Sequence, residues 1–549
     1  MSELPWWKSG VIYQIYPRSF ADSNGDGIGD LAGITSRLDY LADLPVDAIW
    51  LSPFYPSPMA DFGYDVADYC DVHPLFGTLA DFDALVEGAH ARGIKVVVDW
   101  VPCHTSDQHE WFAESRSSRD NAKRDWYVWR DAKPDGSPPN NWLSCFERIG
   151  QAWTLDPQTG QYYLHSFMPE QPDLNWENQE VRAAMYDTLR FWLDRDVDGF
   201  RIDVTHRLGK DPELRDNPYQ VIADTRKVLA ALKRGDMVDA DQRMDENWPS
   251  THERLREIRA VVDEYDDRAI VGEVYLLNQR ELVQYVNSGD ELHLAHNFTF
   301  VNQPWGAADF REVVDEWHLL ASELAWPDWF LENHDHSRVA TRYDSGGNGA
   351  ARARLASLMV LTLRGTPFLF QGEELGLPDV PVPAEQVVDV DNRDPERCPI
   401  PWEPPSVAGP GAGFTTGTPW LPISPAAETI NARAQSADPS SALSLHRALL
   451  ELRRGCPALV GGDYRSLDVG GGEIYAYLRE TPDERLLVAL NFGAGPASYD
   501  GAAAGLGDDG ELLISTDPQR PAGRADLRSL VLGPAEGVVV RVTPQSVVT

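Results

Sequence analysis

The stretch Asp198-Gly199-Phe200-Arg201-Ile202-Asp203 decides the fold class, because a helix pattern stands directly before it. In that pattern apolar side chains recur at three- and four-residue spacing, at Val181, Met185, Leu189 and Trp192. The same order recurs elsewhere, where helix patterns precede the buried runs 94–99, 269–273 and 367–371. Helices that alternate with buried strands predict a parallel sheet.

The number of strand candidates favours a closed (β/α)8 TIM barrel over an open, doubly wound α/β sheet. The candidates begin near Val11, Ala48, Val96, Gly199, Ile270, Asn297, Trp329 and Phe368. Several of these strands end in a polar or acidic residue. Because the carboxyl ends of the strands form the active-site face of such a barrel, we expect a site there.

Three segments depart from the alternation. Residues 104–171 are rich in Trp, Tyr, Pro and Asn and predict a subdomain inserted after the third strand. Residues from about 377 to 441 predict a long loop region, and short β-like runs between Gly-rich turns predict a C-terminal antiparallel β-sandwich. The predicted domains are a barrel over 1–103 and 172–460, an inserted subdomain over 104–171 and a sandwich over 461–549.

Charge and composition exclude several classes of partner. The 549 residues carry 48 basic and 86 acidic side chains, for a net charge of -38, which disfavours nucleic acid and anionic membranes. We find no signal peptide, no apolar run of about 18 residues, and no CxxC pair among the five cysteines. We therefore expect a cytoplasmic protein, a monomer or weak homo-oligomer, with no membrane contact.

Acidic residues at strand ends indicate the chemistry of glycoside hydrolysis. Asp203 and Glu273 end neighbouring strands, which lie about 4.8 Å apart, and a retaining glycosidase holds its two carboxyl groups at about 5 Å. Arg201 points to the same face as Asp203 and is suited to keep it ionised, although a purely structural ion pair is equally compatible. His334 and Asp335 end a third strand and are suited to bind sugar hydroxyls.

Six short blocks of sequence, taken in their order along the chain, resemble those of a known family. The blocks are residues 10–17, 99–104, 199–204, 272–274, 332–335 and 365–374. In this order and at these separations, the chain resembles the α-amylase superfamily of glycoside hydrolases, and within it the α-glucosidase and oligo-1,6-glucosidase branch.

The resemblance implies catalytic roles. Asp203 matches the nucleophile, Glu273 the general acid that later acts as base, and Asp335 the third carboxylate that binds ring hydroxyls. Asp65 matches the residue that binds the non-reducing-end glucose, and Arg397 matches a residue that ion-pairs with that aspartate and closes the pocket. A closed pocket implies exo-action on short α-glucosides, without an organic cofactor.

Other matched positions concern the pocket wall and the linkage. The wall positions are Tyr64, His104, Arg201, His334, Phe146 and Phe167. The aromatic ones are equally consistent with core packing. Val204 follows the nucleophile, and valine there accompanies α-1,6 activity in the branch, whereas Thr or Ala accompanies α-1,4 activity. The resemblance thus favours α-1,6 linkages, with α-1,4 linkages and sucrose left open.

A loop rich in oxygen ligands predicts a structural metal. Its ligands would be Asp22, Asn24, Asp26, the carbonyl of Ile28, and Asp30. This spacing resembles the first half of an EF-hand loop and predicts bound Ca²⁺ or Mg²⁺, the alternative being a solvated Asp/Gly turn. Cys103 stands where many relatives carry an Asn that ligates calcium, so we do not expect that second calcium site.

Three alternative functions are open. They differ from an exo-acting glucosidase in the acceptor, in the presence of catalysis, or in the position of the bond that is cleaved. A glucosyl transferase, or an isomerase that forms trehalose or isomaltulose, would share the same catalytic residues. A non-catalytic binding homologue would lack the carboxylates that this chain keeps. An endo-acting amylase is disfavoured by the pocket that Asp65 and Arg397 imply.

Overall fold

The computed structural model describes residues 4–217, 243–467 and 472–542, and eight parallel strands form its central sheet. In chain order, the first to eighth barrel strands are Ile12–Ile15, Ala48–Leu51, Lys95–Trp100, Gly199–Ile202, Ala269–Gly272, Leu294–Ala295, Asp328–Trp329 and Thr366–Phe370. The spatial order runs from the seventh and eighth strands through the first to the sixth. The barrel is nearly closed, which confirms the predicted fold class.

The remaining gap in the barrel lies between the sixth and seventh strands. A side-chain hydrogen bond of 3.0 Å links His296, just after the sixth strand, to Asp328 in the seventh. The prediction that a strand begins near Asn297 was wrong. Its side chain instead accepts a hydrogen bond from the backbone N–H of Phe300 and caps the helix Phe298–Val301, as Asn commonly does at a helix start.

Helices surround the barrel and fill its connections. The longer ones are Leu79–His90, Glu110–Ser117, Gln179–Leu193, Ser250–Val262, Ala307–Leu320, Gly349–Thr362 and Ala442–Gly455. The shorter ones are Trp6–Ser9, Leu31–Ser36, Leu38–Asp43, Gln279–Leu282, Gln284–Asn287, Phe298–Val301, Val339–Arg342, Asp394–Arg397, Pro405–Ala408, Ala432–Ser436 and Pro457–Gly461. Within the described ranges, none of the helices has the length and apolar content that crossing a bilayer requires.

The stretch that decided the fold class shows why these residues form a packed barrel. The helix Gln179–Leu193 begins at Asn178, whose side chain accepts from the N–H of Glu180, and it buries the apolar face that the sequence predicted. Every residue of the fourth strand is buried, as expected for a parallel strand covered on both faces. A Cβ at Gly199 would lie 2.4 Å from the carbonyl oxygen of Ala269, so only glycine allows this approach of the fifth strand.

Three further sheets lie outside the barrel in the described ranges. Between the third and fourth barrel strands, the antiparallel strands Trp129–Asp131, Gln161–Leu164 and Trp153–Asp156 form a small sheet. After the barrel, antiparallel strands form a six-stranded and a two-stranded sheet. They are Asp463–Leu467, Ile474–Glu480, Arg485–Asn491, Ala497–Tyr499, Asp509–Ser515, Gly523–Asp526, Leu530–Leu532 and Gly537–Val542.

Candidate active site

Arg201 organises the acidic residues at the carboxyl end of the barrel. One of its terminal nitrogens donates to Asp203 at 2.6 Å and to Asp99 at 3.0 Å, and the other donates to Glu273. Asp203 and Glu273 thus contact the two terminal nitrogens of the same guanidinium. The structure therefore brings together the two carboxyl groups and the arginine that the sequence predicted.

Asp99, which the sequence analysis did not select, completes this cluster from the end of the third strand. Its carboxylate accepts hydrogen bonds from Trp50 Nε1 at 3.2 Å and from the Tyr64 hydroxyl at 3.1 Å. The Arg201 guanidinium lies over the Trp50 ring, 5.2 Å from its centre. These contacts fix the orientation of Arg201, and through it the orientation of Asp203.

Three carboxyl groups share one guanidinium, so their titration is linked. Burial raises the pKa of Asp203 well above its usual value, Arg201 opposes that rise, and the charges of Glu273 and Asp99 add to it. Burial also raises the pKa of Asp99 to about 6. Because three negative charges exceed what one guanidinium offsets, the charges of the neighbouring carboxylates add to the effect of burial on the pKa of Asp203 and of Asp99.

Val204 has an unusual backbone conformation directly after Asp203. Its φ is 36° and its ψ is 46°, the left-handed region that a β-branched residue rarely adopts. This conformation directs the Val204 N–H to the Glu273 carboxylate at 3.2 Å. The strained turn therefore helps to position Glu273 beside Asp203.

Asp335 is held ionised at the opposite side of the site. Its carboxylate contacts Arg393 at 2.9 Å, Arg397 at 2.7 Å and His334 Nε2 at 3.1 Å. Burial opposes ionisation, but His334 and the two guanidinium groups hold the pKa of Asp335 well below its usual range. The Gln14 amide donates to His334 Nδ1 at 2.7 Å, which leaves the proton on Nε2, 2.7 Å from the Tyr64 hydroxyl oxygen and 3.1 Å from Asp335.

Aromatic rings line the space between these groups. Tyr64 stacks on His334 with ring centres 5.4 Å apart and planes at 4°. Phe167 lies 5.2 Å from His104 and 5.6 Å from Phe146. Of the six predicted wall residues, Arg201 and His334 contact the acidic side chains directly, and Tyr64 donates to Asp99. The inserted segment supplies Phe146 beside Arg393 and Phe167 beside His104.

The expected ion pair between Asp65 and Arg397 is replaced by other contacts. The Asp65 carboxylate accepts hydrogen bonds from Ser57 Oγ at 2.8 Å and from the N–H groups of Ala60 and Asp61, each at 2.9 Å. These three donors come from its own turn and occupy the carboxylate. Arg397 pairs with Asp335 instead, and its Nε donates to the His334 carbonyl at 2.6 Å.

An ion pair to the loop after the second strand had been expected of Arg397. Arg393, four residues before Arg397, makes this ion pair instead, to Asp61. It contacts Asp61 at 2.8 Å, Asp335 at 2.9 Å and Asp389 at 2.7 Å. Its guanidinium also lies 5.1 Å from the centre of the Phe146 ring. Arg393 thus joins the loops after the second, seventh and eighth strands to the inserted segment.

The model of the alpha-amylase catalytic domain matches residues 14–462 of the chain. The chain belongs to the alpha-amylase family. A probable alpha-glucosidase of Rhizobium meliloti (strain 1021) is 44% identical over 501 residues, covering 88% of this chain and 89% of that protein. An oligo-1,6-glucosidase of Parageobacillus thermoglucosidasius is 40% identical over 531 residues, covering 89% and 91%. The protein is therefore a glycoside hydrolase of the alpha-amylase family.

A solved structure in the same family extends the likeness to transfer enzymes. The alpha-glucosyl transfer enzyme XgtA has a TM-score of 0.88 and 39% identity, and the match covers 98% of this chain and all of that one.

A lysine occupies the position beside Cys103. Among the described residues, one group of three ligand-type side chains lies within 4.8 Å, formed by Cys103, His104 and Asp173. The Lys210 Nζ lies 2.9 Å from Asp173 and 3.8 Å from Cys103 Sγ, and it donates to the Arg207 carbonyl at 2.7 Å. The ammonium group supplies a positive charge beside the buried Asp173 carboxylate, and the expectation that calcium does not bind here stays a prediction.

The predicted metal loop is a series of tight turns. Asp22, Asn24 and Asp26 each accept from the backbone N–H two residues further along, at 2.8 to 2.9 Å. Asp30 is the N-cap of the helix Leu31–Ser36. In this arrangement the oxygens of Asp22, Asp26 and Asp30 do not all lie within 4.8 Å of one another, so binding an ion would require these side chains to converge.

Proposed function

We propose that the enzyme is a retaining, exo-acting α-glucosidase that releases terminal α-linked glucose from short oligosaccharides or disaccharides, with α-1,6 linkages favoured. The observation that carries this proposal is the pairing of Asp203 with Glu273 around Arg201. A retaining mechanism needs two carboxyl groups about 5 Å apart, whereas an inverting one needs room for a water molecule between them. Two carboxyl groups held on the two terminal nitrogens of one guanidinium fit the retaining case.

In the proposed first step, an Asp203 carboxylate oxygen attacks the anomeric carbon of the bound glucose. Glu273 gives its proton to the glycosidic oxygen, and the aglycone leaves. A β-glucosyl ester of Asp203 forms. As negative charge leaves Asp203, the Arg201 guanidinium keeps its bonds to Asp99 and Glu273, so its orientation is maintained.

In the proposed second step, Glu273 acts as a base. It takes a proton from water, the water oxygen attacks the anomeric carbon, and the Asp203 ester breaks to release α-glucose. Asp335, kept ionised by Arg393 and Arg397, hydrogen-bonds the ring hydroxyls. Its negative charge stabilises the positive charge that develops on the sugar ring in both steps.

The closed side of the site supports exo-action. Arg393 and Arg397 join Asp335 to Asp389, and Arg393 also reaches Asp61. We infer that this network limits extension of a longer chain beyond the glucose that Asp335 binds. A single terminal unit therefore fits better than the interior of a polymer.

The experiment that tests this function is product analysis with the purified protein. Isomaltose, maltose, trehalose, sucrose and soluble starch are incubated separately, and products are resolved by chromatography. Free glucose from a disaccharide, with α-glucose as the first anomer seen by NMR and starch nearly untouched, supports the proposal. Absence of turnover on every substrate, or release of β-glucose, contradicts it.

Transfer is the second candidate function, favoured by the likeness to XgtA. The glucosyl ester of Asp203 would then be attacked by a sugar hydroxyl instead of water. New disaccharides or trisaccharides without net glucose release would move the assignment to a transferase or an isomerase. The same product analysis separates the two.

Substitution of Val204 tests the linkage preference. We expect Val204→Thr to raise the ratio of kcat/KM for maltose over isomaltose by about tenfold, the size of effect that one small change in a sugar-contacting side chain produces. Threonine keeps the β-branched shape of valine, so the strained turn is preserved. A ratio that stays at the wild-type value, with glucose release intact, contradicts the role of this position.

Substitution of Asp99 tests whether its charge affects the titration of Asp203. Its charge raises the pKa of Asp203, so Asp99→Asn should lower that pKa and move the acid limb of the kcat/KM profile to lower pH by about one unit. The sign follows because Asp203 must be ionised to attack, and a lower pKa keeps it ionised at lower pH. A limb that stays in place or moves to higher pH contradicts the linkage.

We also propose that the loop from Asp22 to Asp30 binds Ca²⁺. The spacing of its oxygen ligands and their close negative charges support this. Calcium should raise the Tm of the wild type after EDTA treatment and leave the Tm of Asp26→Ala unchanged. An equal response of both proteins, or none in the wild type, contradicts calcium binding in this loop.

We further propose that the enzyme acts in a reducing cytoplasm as a monomer or weak homo-oligomer. All five cysteines are free thiols, which supports a reducing compartment. Light scattering of the purified protein over a range of concentrations measures the oligomeric state.

A further inference from the structure

A charged cluster that the proposed mechanism does not use lies next to Glu273. Arg207 donates to Glu246 and lies 3.3 Å from Asp245. Arg243 lies 2.7 Å from Asp245 and 3.2 Å from Glu246. The four side chains carry two positive and two negative charges, so the cluster has no net formal charge.

Contacts on two sides place this cluster between Glu273 and the pocket wall. On one side, His206 Nδ1 lies 3.5 Å from the Glu273 carbonyl oxygen, and His206 Nε2 lies 3.8 Å from Glu246. On the other side, Asp245 accepts a hydrogen bond from the Asn217 amide at 3.0 Å, and the Asn217 N–H donates to Asn141 of the inserted segment, which also supplies Phe146, at 2.7 Å.

The proposed mechanism fixes which part of the substrate faces this cluster. Asp335, with its arginines, holds the glucose that stays on the enzyme. Glu273 must touch the glycosidic oxygen to protonate it, so the departing sugar lies on the Glu273 side. The cluster of Arg207, Arg243, Asp245 and Glu246 is on that side.

We propose that Arg243 and Glu246 bind the hydroxyl groups of a neutral sugar aglycone, an inference that rests on the proposed α-glucosidase function. Side chains of both remain partly accessible, Arg243 at 24% and Glu246 at 10%. The Nε and one terminal nitrogen of Arg243 both bond Asp245. That pairing fixes the plane of the guanidinium before the substrate arrives, which lowers the entropy cost of binding.

The side chains of Arg243 and Glu246 together are suited to bind two neighbouring hydroxyl groups of the aglycone sugar. A guanidinium has five N–H groups, and three contacts of Arg243 go to Asp245 and Glu246. The remaining N–H groups can donate to sugar oxygens, while the Glu246 carboxylate accepts from sugar hydroxyls. Because the cluster has no net positive charge, a phosphorylated or carboxylated aglycone gains no attraction from it.

The test compares two substrates that share the glucose but differ in the aglycone. One is the disaccharide that the wild type cleaves best, and the other is 4-nitrophenyl α-glucoside, whose aglycone has no sugar hydroxyls. In Arg243→Met and Glu246→Gln we expect kcat/KM for the disaccharide to fall about tenfold, as for loss of one charged hydrogen bond. The aryl glucoside should be cleaved at close to the wild-type rate.

The variants and controls separate the outcomes. Arg243→Lys keeps the positive charge but loses the two-point contact with Asp245. The ratio of kcat/KM for the disaccharide over the aryl glucoside should therefore fall. Because the charge is retained, a fall in this variant is not explained by loss of the ion pairs needed for folding. Arg524→Met, which removes a surface ion pair with Asp509 in the C-terminal sheet, should change neither rate. The inference is overturned if the Arg243 and Glu246 variants keep the wild-type ratio of kcat/KM for the disaccharide over the aryl glucoside, which includes the case of equal losses on both substrates. A wild type that cleaves neither substrate overturns the proposed function instead.

Discussion

Asp203→Asn should lower kcat for glucose release by a factor of about 10⁴ or more, the loss typical of removing a catalytic nucleophile. The neutral amide does not form the glucosyl ester, and it places no negative charge beside the developing positive charge of the sugar. The fold should persist, because asparagine keeps the shape of aspartate and Arg201 retains Asp99 and Glu273 as partners.

The measurement is glucose release, supported by trapping the intermediate. With 5-fluoro-α-glucosyl fluoride, mass spectrometry of the wild type should find the sugar on the peptide that contains Asp203, and no label in Asp203→Asn. Asp509→Asn, a substitution of a half-exposed aspartate in the C-terminal sheet, is the matched control and should retain wild-type kcat. Label on a different carboxylate, or high activity in Asp203→Asn, would contradict the assigned nucleophile.

The fold could be predicted from the sequence because its signals are periodic and local. The helix face before residues 199–203 and the short buried runs gave the barrel and seven of its strand positions. The strand near Asn297 was misplaced because the buried apolar run 298–301 reads equally well as strand or helix. The capping side chain of Asn297 decided for a helix, and its hydrogen bond is visible only in three dimensions.

The sequence predicted the active-site residues that follow barrel strands. It did not predict contacts between residues of different loops. Asp203 and Glu273 directly follow the fourth and fifth barrel strands, whereas Asp335 lies in the loop after the seventh strand, which ends at Trp329. Asp335 pairs with both Arg393 and Arg397, and the sequence analysis named Arg397 but overlooked Arg393. A signal was present, since Asp389, Arg393 and Arg397 recur at a spacing of four residues, which places side chains on one face of a helical turn.

Lys210 shows a second limit of the sequence. The resemblance implied that Cys103 takes the place of a calcium-ligating Asn, yet nothing in the sequence showed which cation pairs with Asp173. Lys210 follows Cys103 by more than 100 residues and meets it only because the third and fourth barrel strands are neighbours. Asp173, from the far end of the inserted segment, completes the contact.

Lys210→Met should therefore destabilise the protein strongly. It removes the ammonium group that neutralises Asp173, whose carboxylate is fully buried. A buried charge left without its partner costs about 3 to 5 kcal/mol of unfolding free energy. We expect a clear fall in Tm and in the urea midpoint. Lys123→Met, which breaks an exposed pair with Glu114, is the control and should cost less than about 1 kcal/mol.

The pH dependence of that loss identifies its cause. In the wild type, burial opposes ionisation of Asp173 but Lys210 lowers its pKa below the usual value. This carboxylate stabilises the fold above its unfolded pKa of about 3.9, and its contribution is lost as pH falls through the lower folded pKa. Without Lys210, burial should raise the pKa of Asp173, so protonation relieves the unpaired charge. The difference from wild type should shrink as pH falls from 7 towards 4.

A second substitution completes the cycle. Adding Asp173→Asn to Lys210→Met removes the unpaired charge and should recover part of the lost stability at pH 7, which gives a coupling energy between the two residues. Purely additive losses, or a loss from Lys210→Met that is independent of pH, would mean that packing and not charge decides the cost. Recovery would show that an ammonium group fixed between the barrel and the inserted segment stabilises the loop that carries His104, next to the proposed glucose pocket.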